Sequence, residues 1–284
     1  MRAAVGNPST NGYDIEAVER AAKEGDSSKL AEGSEAVCIF VNDVAGDATL
    51  RVFHAGGTKV LLLRCAGYDI VNLQVAKELD MTVLRVPAYS PYAVADHTAA
   101  LMLTLKRKIH RSYNRTLELN FRLEGLLGFD INGKTVGVVG TGKIGALFAR
   151  IVAGFGCKVL AYDIKESPDA LRFGAEYVSQ GEVWARSDII SLHCPLLPST
   201  KHVINAENIA KMKHGVMLIT RAAKEGPVFI TGHQAFFTQE ALDNIGHTTI
   251  ENFKAYEAKA ELVNEVKQRS IAHWLFVFSK YKIN

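Results

Sequence analysis

The sequence predicts an α/β protein made of two doubly wound parallel-sheet domains, one inserted into the other. Three observations lead there. Short apolar runs at 35–41 (EAVCIFV), 59–64 (KVLLLR) and 81–86 (MTVLRV) are continuous rather than alternating, as strands buried on both faces are. Residues 136–163, VGVVGTGKIGALFARIVAGFGCKVLAYD, read as strand, glycine turn, amphipathic helix and strand. Helical spacing then returns from Thr238 to about Lys267, carrying the chain back to its starting half. The length of 284 residues and the 48% apolar content suffice for two cores. The expected division is 1–88 with 235–284 for the outer domain and 89–234 for the inserted one.

The elements follow in order. After AAV and the helical stretch YDIEAVERAAKEG (13–25), EAVCIFV makes a strand, 48–56 a helix and KVLLLR a strand. MTVLRV makes a third strand and runs into Pro87. Ser90-Pro91 is an N-cap followed by proline at the first helical position. The spacing predicts one long helix from there to about residue 118, with Val94, Leu101, Met102, Leu105 and Ile109 on its apolar face. Lys106, Arg107, Lys108, Arg111 and Arg115 form a basic cluster on it. Such a cluster is either a nucleic-acid patch or a solvated face, and the net charge of only +3 favours the second. Beyond the glycine unit, GAEYVS (174–179) and SDIISLHCP (187–195) supply strands separated by a helix, and VMLIT (216–220) and PVFIT (227–231) supply two more.

The glycine unit carries chemistry. Gly140 lets the chain turn off the strand, Gly142 leaves room for a pyrophosphate against the backbone, and Gly145 lets the helix pack close. Thr141, Lys143 and Ile144 complete the turn, GTGKIG. The helix opening there aims unpaired N–H groups and a partial positive charge at the phosphates. Asp163 ends the second strand, where a carboxylate accepts hydrogen bonds from ribose hydroxyls and repels the extra phosphate of NADP. The expected cofactor is therefore NAD.

The remaining composition narrows the class. Cys38, Cys65, Cys157 and Cys194 are far apart, with no C-x-x-C pair, a spacing of reduced thiols rather than of a disulfide framework or zinc site. The first residues lack a long apolar stretch, and the longest apolar runs are strand length. A cytoplasmic protein without nucleic-acid or membrane partners is expected. The final stretch, QRSIAHWLFVFSKYKIN, is apolar and basic and too short to span a bilayer.

Several stretches together resemble the D-isomer-specific 2-hydroxyacid dehydrogenases, in particular their D-lactate dehydrogenase branch. They are RCAGYDIVNL (64–73), VPAYSPYAVADHTAALMLTL (86–105), GLLGFDINGKTVGVVGTGKIG (125–145), SDIISLHCPL (187–196), TKHVINAENIAKMKHGVMLI (200–219) and ITGHQAFFTQEAL (230–242). The resemblance implies hydride transfer between NADH and a small 2-keto acid such as pyruvate. It assigns His233 as the acid/base histidine. It gives Cys65, Ala66 and Gly67 the substrate carboxylate, held on backbone N–H groups. Tyr89 would line the substrate pocket, and His193 and Pro195 would lie beside the cofactor riboses. It also implies a homodimer formed through the long helix after Ser90.

The chain departs from this pattern between Ile219 and Pro227. The family places there an Asn-Thr-Ser-Arg-Gly turn with a catalytic arginine, then a helix and a strand ending in a catalytic glutamate. Here RAAKEG alone joins VMLIT to PVFIT, and six residues cannot make the crossover that parallel neighbours need. Arg221 sits near the place of the arginine without the turn that aims it. Glu225, in the connector, reads as a solvated loop charge. The family's second strand also lacks a clear counterpart. The expectation is a shortened dehydrogenase, by exon skipping or an error in the gene model, with severely reduced turnover. The alternatives are a non-catalytic NAD(H)-binding protein, as the corepressors of this fold are, or a product that neither folds nor functions.

Overall fold

The computed structural model describes residue 13 and residues 31–195, 199–219 and 234–267. They fall into two units, one holding the residues up to Tyr89 with those from Gln239 on, the other Ser90–Thr238. The expected strand PVFIT, the six-residue connector and the C-terminal stretch beyond Lys267 lie outside the described residues, as does the helix expected at 13–25 apart from Tyr13.

The first unit is built on three parallel strands, β1 (Ala36–Ile39), β2 (Val60–Leu63) and β3 (Thr82–Arg85), in that order. Helix α1 (Asp47–Ala55) joins β1 to β2, and α2 (Leu73–Glu78) joins β2 to β3. The strands read as continuous apolar runs because both faces are covered. Leu61, Leu63 and Val83 meet Leu50, Phe53 and Val75 of the two helices. Val60, Leu62 and Leu84 point the other way, against Phe253, Tyr256 and Leu262 of the C-terminal part.

In the second unit, Ser90 caps α3 (Pro91–Arg107) by accepting the Ala93 N–H at 3.1 Å. The helix expected to run to about 118 breaks at Lys108, which takes a left-handed φ of 52° and starts α4 (Ile109–Leu117). A later segment of chain crosses there: a Cβ on Gly128 would lie 2.2 Å from the Lys106 carbonyl oxygen. The buried residues of α3 are Ala93, Ala95, Thr98, Ala99, Met102 and Lys106; of the face expected from its larger residues only Met102 is fully buried, while Val94, Leu101 and Leu105 are half-buried. Ile109 is exposed. Small side chains win because α3 packs closely on α5. The solvated-face reading of the basic cluster holds for Arg107 and Arg111, which are exposed, but not for Lys106, which is buried with its amine 5.9 Å from the centre of the Phe129 ring.

The core of this unit is a five-stranded parallel sheet formed by β4 (Thr135–Val139), β5 (Lys158–Tyr162), β6 (Glu176–Tyr177), β7 (Ile189–Leu192) and β8 (Met217–Ile219). Its order is β6-β5-β4-β7-β8. Helix α5 (Lys143–Gly154) follows β4, α6 (Pro168–Arg172) precedes β6, α7 (Gln180–Arg186) precedes β7 and α8 (Ala206–Ala210) precedes β8. Alternate residues serve opposite faces. Val136, Val138, Val159, Ala161 and Ile189 pack with Phe148, Ala149 and Val152 of α5 and with Met102. Val139, Leu160 and Ile190 pack with Val183 and Trp184 of α7. Each fully buried aliphatic of this kind contributes about 1.5–3 kcal/mol before the cost of ordering it.

The chain returns through α9 (Gln239–Glu257). Helix was expected to about Lys267, but α9 ends at Glu257, Lys259 turns left-handed at φ 50°, and the chain turns again before Glu265. Residues 264–266 then run antiparallel to β3, with Val266 N–H on the Val83 carbonyl at 2.8 Å. Buried Asn252 fastens this return, donating to the Arg85 carbonyl at 2.9 Å and accepting from the Asn264 amide at 2.8 Å. Among the described residues no helix is long and apolar enough to cross a membrane.

Candidate active site

Strand β4 ends where the phosphate-binding turn was expected. Gly140 has φ +92°, and its N–H binds the Tyr162 carbonyl at 2.8 Å. A Cβ there would lie 2.5 Å from the Cys194 backbone nitrogen, so only glycine lets the turn pass the end of β7. A Cβ on Gly145 would lie 1.9 Å from the Gly140 carbonyl oxygen, which fixes how closely α5 folds back on the turn. Gly142 is different: nothing lies within 4 Å of where its Cβ would be. It is the N-cap of α5 and supplies no side-chain cap, and the first turn holds no acid. Gly142 and Lys143 are exposed and Ile144 half-buried. The opening N–H groups of this helix therefore face open space with the positive end of its dipole, which suits a pyrophosphate.

Asp163 stands beside that turn. One carboxylate oxygen accepts the Thr141 N–H at 2.6 Å and the Thr141 hydroxyl at 3.3 Å; the other accepts the Ile164 N–H at 2.7 Å. The oxygen bound to Ile164 retains a lone pair for a ribose hydroxyl, whereas both acceptor sites of the other are taken by Thr141. The Thr141 hydroxyl in turn accepts from the Tyr177 hydroxyl at 2.7 Å, which accepts the Ser167 N–H at 2.7 Å. Sequence spacing did not single out Tyr177 or Ser167. Only the pairing of Ala161 with Tyr177 across β5 and β6 brings them to the turn.

At the end of β7, the His193 N–H binds the Val139 carbonyl at 2.8 Å. The ring does not reach outward for a ligand. Its Nε2 lies 2.9 Å from the Ser191 hydroxyl and its face tilts against Phe148, with centroids 5.2 Å apart. Burial pulls its pKa from 6.5 down to about 4, so it is neutral near pH 7. Pro195 is exposed, and its carbonyl accepts the Thr200 hydroxyl at 2.5 Å.

In the other unit the loop after β2 holds Cys65, Ala66 and Gly67. The Cys65 thiol is buried against the Gly67 carbonyl at 3.2 Å, and desolvation pushes its pKa up to about 11, so it is not a nucleophile. Arg85 donates to the Ala66 carbonyl at 2.8 Å and covers the Tyr68 ring. The N–H groups of Ala66 and Gly67 meet no acceptor among the described residues. The carbonyls are thus tied back and the N–H groups left open, with the Asp69 carboxylate close by, its Oδ1 3.1 Å from where a Cβ on Gly67 would lie. Tyr89 is half-buried, and its carbonyl accepts the Asn244 amide at 2.8 Å. His233 and Arg221 lie outside the described residues.

Comparison with known proteins agrees with this geometry. Residues 99–224 match the family model of the D-isomer specific 2-hydroxyacid dehydrogenase, NAD binding domain. A 2-hydroxyacid dehydrogenase homolog of Haemophilus influenzae is 43% identical, over 84% of this chain and 86% of that protein. D-lactate dehydrogenase of Escherichia coli is 41% identical, over 84% of this chain and 88% of that protein.

The chain belongs to the D-isomer-specific 2-hydroxyacid dehydrogenases.

Its fold is that of the family's solved structures. The apo-structure of D-lactate dehydrogenase from Escherichia coli superposes with a TM-score of 0.82 at 42% identity, covering 87% of this chain and 90% of that one. The Aquifex aeolicus D-lactate dehydrogenase complexed with NAD and lactic acid gives 0.71 at 29% identity, covering 86% and 90%. The cofactor of the family's domain is NAD, and the Gly140–Gly145 turn with Asp163 fits it. The alignments also measure the shortfall. The Haemophilus match extends over 288 positions, whereas 84% of the 284 residues here is about 239. About 50 residues of that relative's matched span thus have no counterpart in this chain.

Proposed function

We propose that this chain is an NAD-dependent dehydrogenase of D-2-hydroxy acids, of the D-lactate/pyruvate type, that retains its cofactor site and has lost most of its turnover. The observation that carries the reading is the open turn at α5 with Asp163 fixed beside it. The nicotinamide, when bound, would donate or accept the hydride. The residues of the chain have the other tasks. Asp163 would hold the adenosine ribose, and the opening N–H groups of α5 the pyrophosphate. The N–H groups of Ala66 and Gly67 would take the substrate carboxylate, with Tyr89 closing the pocket. His233 would give its proton to the carbonyl oxygen, and Arg221 is the candidate carboxylate partner.

The shortfall of about 50 residues fits the six-residue connector after Thr220. A histidine without its glutamate has a lower pKa and a freer ring. A site without an aimed arginine polarises the carbonyl less. Each loss costs a factor of about 100 to 10,000 in rate. Retained binding with lost turnover is also what a dinucleotide-sensing pseudoenzyme requires, and the intact cofactor turn favours that as the second reading.

Two further features support the remaining expectations. Leu117, Leu119, Phe121, Leu123 and Leu127 are 67–87% exposed, an apolar surface that a second copy would cover in a homodimer. All four cysteines are free, which suits the cytoplasm.

The test is NADH binding followed by NADH oxidation with pyruvate. Binding with turnover at least 100-fold below the ordinary range of about 1–1,000 per second supports the proposal. Turnover within that range overturns the loss of activity, and absence of NADH binding overturns the cofactor reading.

A further inference from the structure

The hydrogen bonds behind Asp163 run in one direction. The Ser167 N–H donates to the Tyr177 oxygen, the Tyr177 hydroxyl to Thr141 Oγ1, and the Thr141 hydroxyl to Asp163 Oδ2. Every hydrogen in the series has one acceptor and none is spare. The series ends on a charge, and cooperative polarisation strengthens its last bonds. Thr141 is only 2% exposed, so its hydroxyl has little water to replace a lost partner.

The three tied points differ in kind. Thr141 belongs to the phosphate turn, Asp163 is the ribose acid, and Ser167 ends the short loop Ile164–Ser167 that follows Asp163. Ile164, Lys165 and Glu166 of that loop are exposed. A phosphate on the ribose 2′-oxygen would have to settle between Asp163 and this loop. Lys165 is its nearest cation in sequence.

We propose that Tyr177 is a positioning residue for cofactor choice: through Thr141 it holds Asp163 against the ribose, and through Ser167 it holds the following loop, so that the site takes NADH and excludes NADPH. The proposal rests on the NAD reading of the glycine turn. It assigns to the β6 edge strand a part in selectivity, although Tyr177 itself need not touch the cofactor.

The experiment compares dissociation constants for NADH and NADPH, followed by cofactor fluorescence, together with melting temperature. The variants are Tyr177→Phe, Thr141→Val and Thr141→Ser. Tyr177→Phe and Thr141→Val are expected to lower the preference for NADH over NADPH by about tenfold, and Thr141→Ser to preserve it. In an Asp163→Ala background, Tyr177→Phe should change the preference less than it does in the wild type, because only the loop held through Ser167 then remains for it to position. An unchanged preference in Tyr177→Phe overturns the proposal. So does equal weakening of both cofactors with a lowered melting temperature, since that marks a role in the fold alone. Wild-type protein that binds neither cofactor overturns the NAD reading beneath it, and is distinguished by failing before any variant is compared.

Discussion

Helices α5 and α7 border the same sheet and treat their first turns in opposite ways. Helix α7 closes itself. The Ser179 hydroxyl accepts the Glu182 N–H at 3.3 Å, and the Glu182 carboxylate accepts the Ser179 N–H at 3.0 Å. Helix α5 opens on Gly142, with no side-chain cap and no acid in its first turn. Both face the same physical demand, since the first N–H groups of any helix lack partners within it. At α7 the chain meets the demand from its own residues. At α5 it leaves the demand unmet beside a carboxylate that hydroxyl groups can use. A missing cap alone does not mark a ligand site, since α4 of the same unit also lacks a side-chain cap and a first-turn acid; at α5 the open turn stands beside the fixed carboxylate of Asp163, and that pairing is what a dinucleotide can use.

The comparison breaks most severely if the close approach that sets up α5 is removed. Gly145→Ala places a Cβ 1.9 Å from the Gly140 carbonyl oxygen, backbone against backbone, so the turn must open. The expected cost exceeds about 3 kcal/mol of stability, with loss of NADH binding. Urea unfolding and cofactor fluorescence measure both. A variant that melts normally and binds NADH as wild type does would show that the turn and helix do not need their close contact.

A comparable effect comes from pH. His193 sits behind the same turn, with a pKa of about 4 in the fold against an ordinary 6.5. Its folded value is depressed, so the neutral ring stabilises the fold above pH 6.5. That contribution is lost as pH falls toward 4, because the unfolded chain takes up the proton first. The whole window is worth about 3 kcal/mol. His193→Gln keeps a polar group near Ser191 and should flatten the fall in stability between these pH values. An equally steep fall in the variant would assign the acid sensitivity to other groups.

Much of this was legible in the chain. The central strands β4, β5 and β7 announce themselves because burial on both faces makes them largely apolar, and the turn is legible because its glycines are required by contacts that any dinucleotide cradle makes. Three features were not legible. The break at Lys108 falls where the distant residue Gly128 passes close to the end of α3, a neighbour that local periodicity does not contain. The buried stripe of α3 follows alanines rather than leucines because distance to α5, not hydrophobic size, decides which face fits. Tyr177 is invisible for the same reason: it reaches Thr141 through the register of β5 with β6, a non-local fact. The roles of His233 and Arg221 rest on resemblance, and it was a missing length of chain, not any one residue, that marked the departure there.

The smallest effects test the comparison most directly, by exchanging the habits of the two helices. Gly142→Ser would place a hydroxyl at the N-cap of α5, where φ −63° and ψ −168° suit a capping serine and nothing lies within 4 Å. Stability should rise by a few tenths of a kcal/mol, since glycine is already a fair N-cap. NADH should bind about tenfold more weakly, because the new hydroxyl occupies a donor that the pyrophosphate needs. Ser179→Ala removes the cap of α7 and should cost about 1 kcal/mol while leaving NADH affinity unchanged. The two variants thus move stability and affinity in opposite patterns, which a general loosening of the domain cannot reproduce. If Gly142→Ser leaves NADH affinity intact, the open donors of α5 are not what holds the cofactor, and the contrast with α7 is one of helix ends alone.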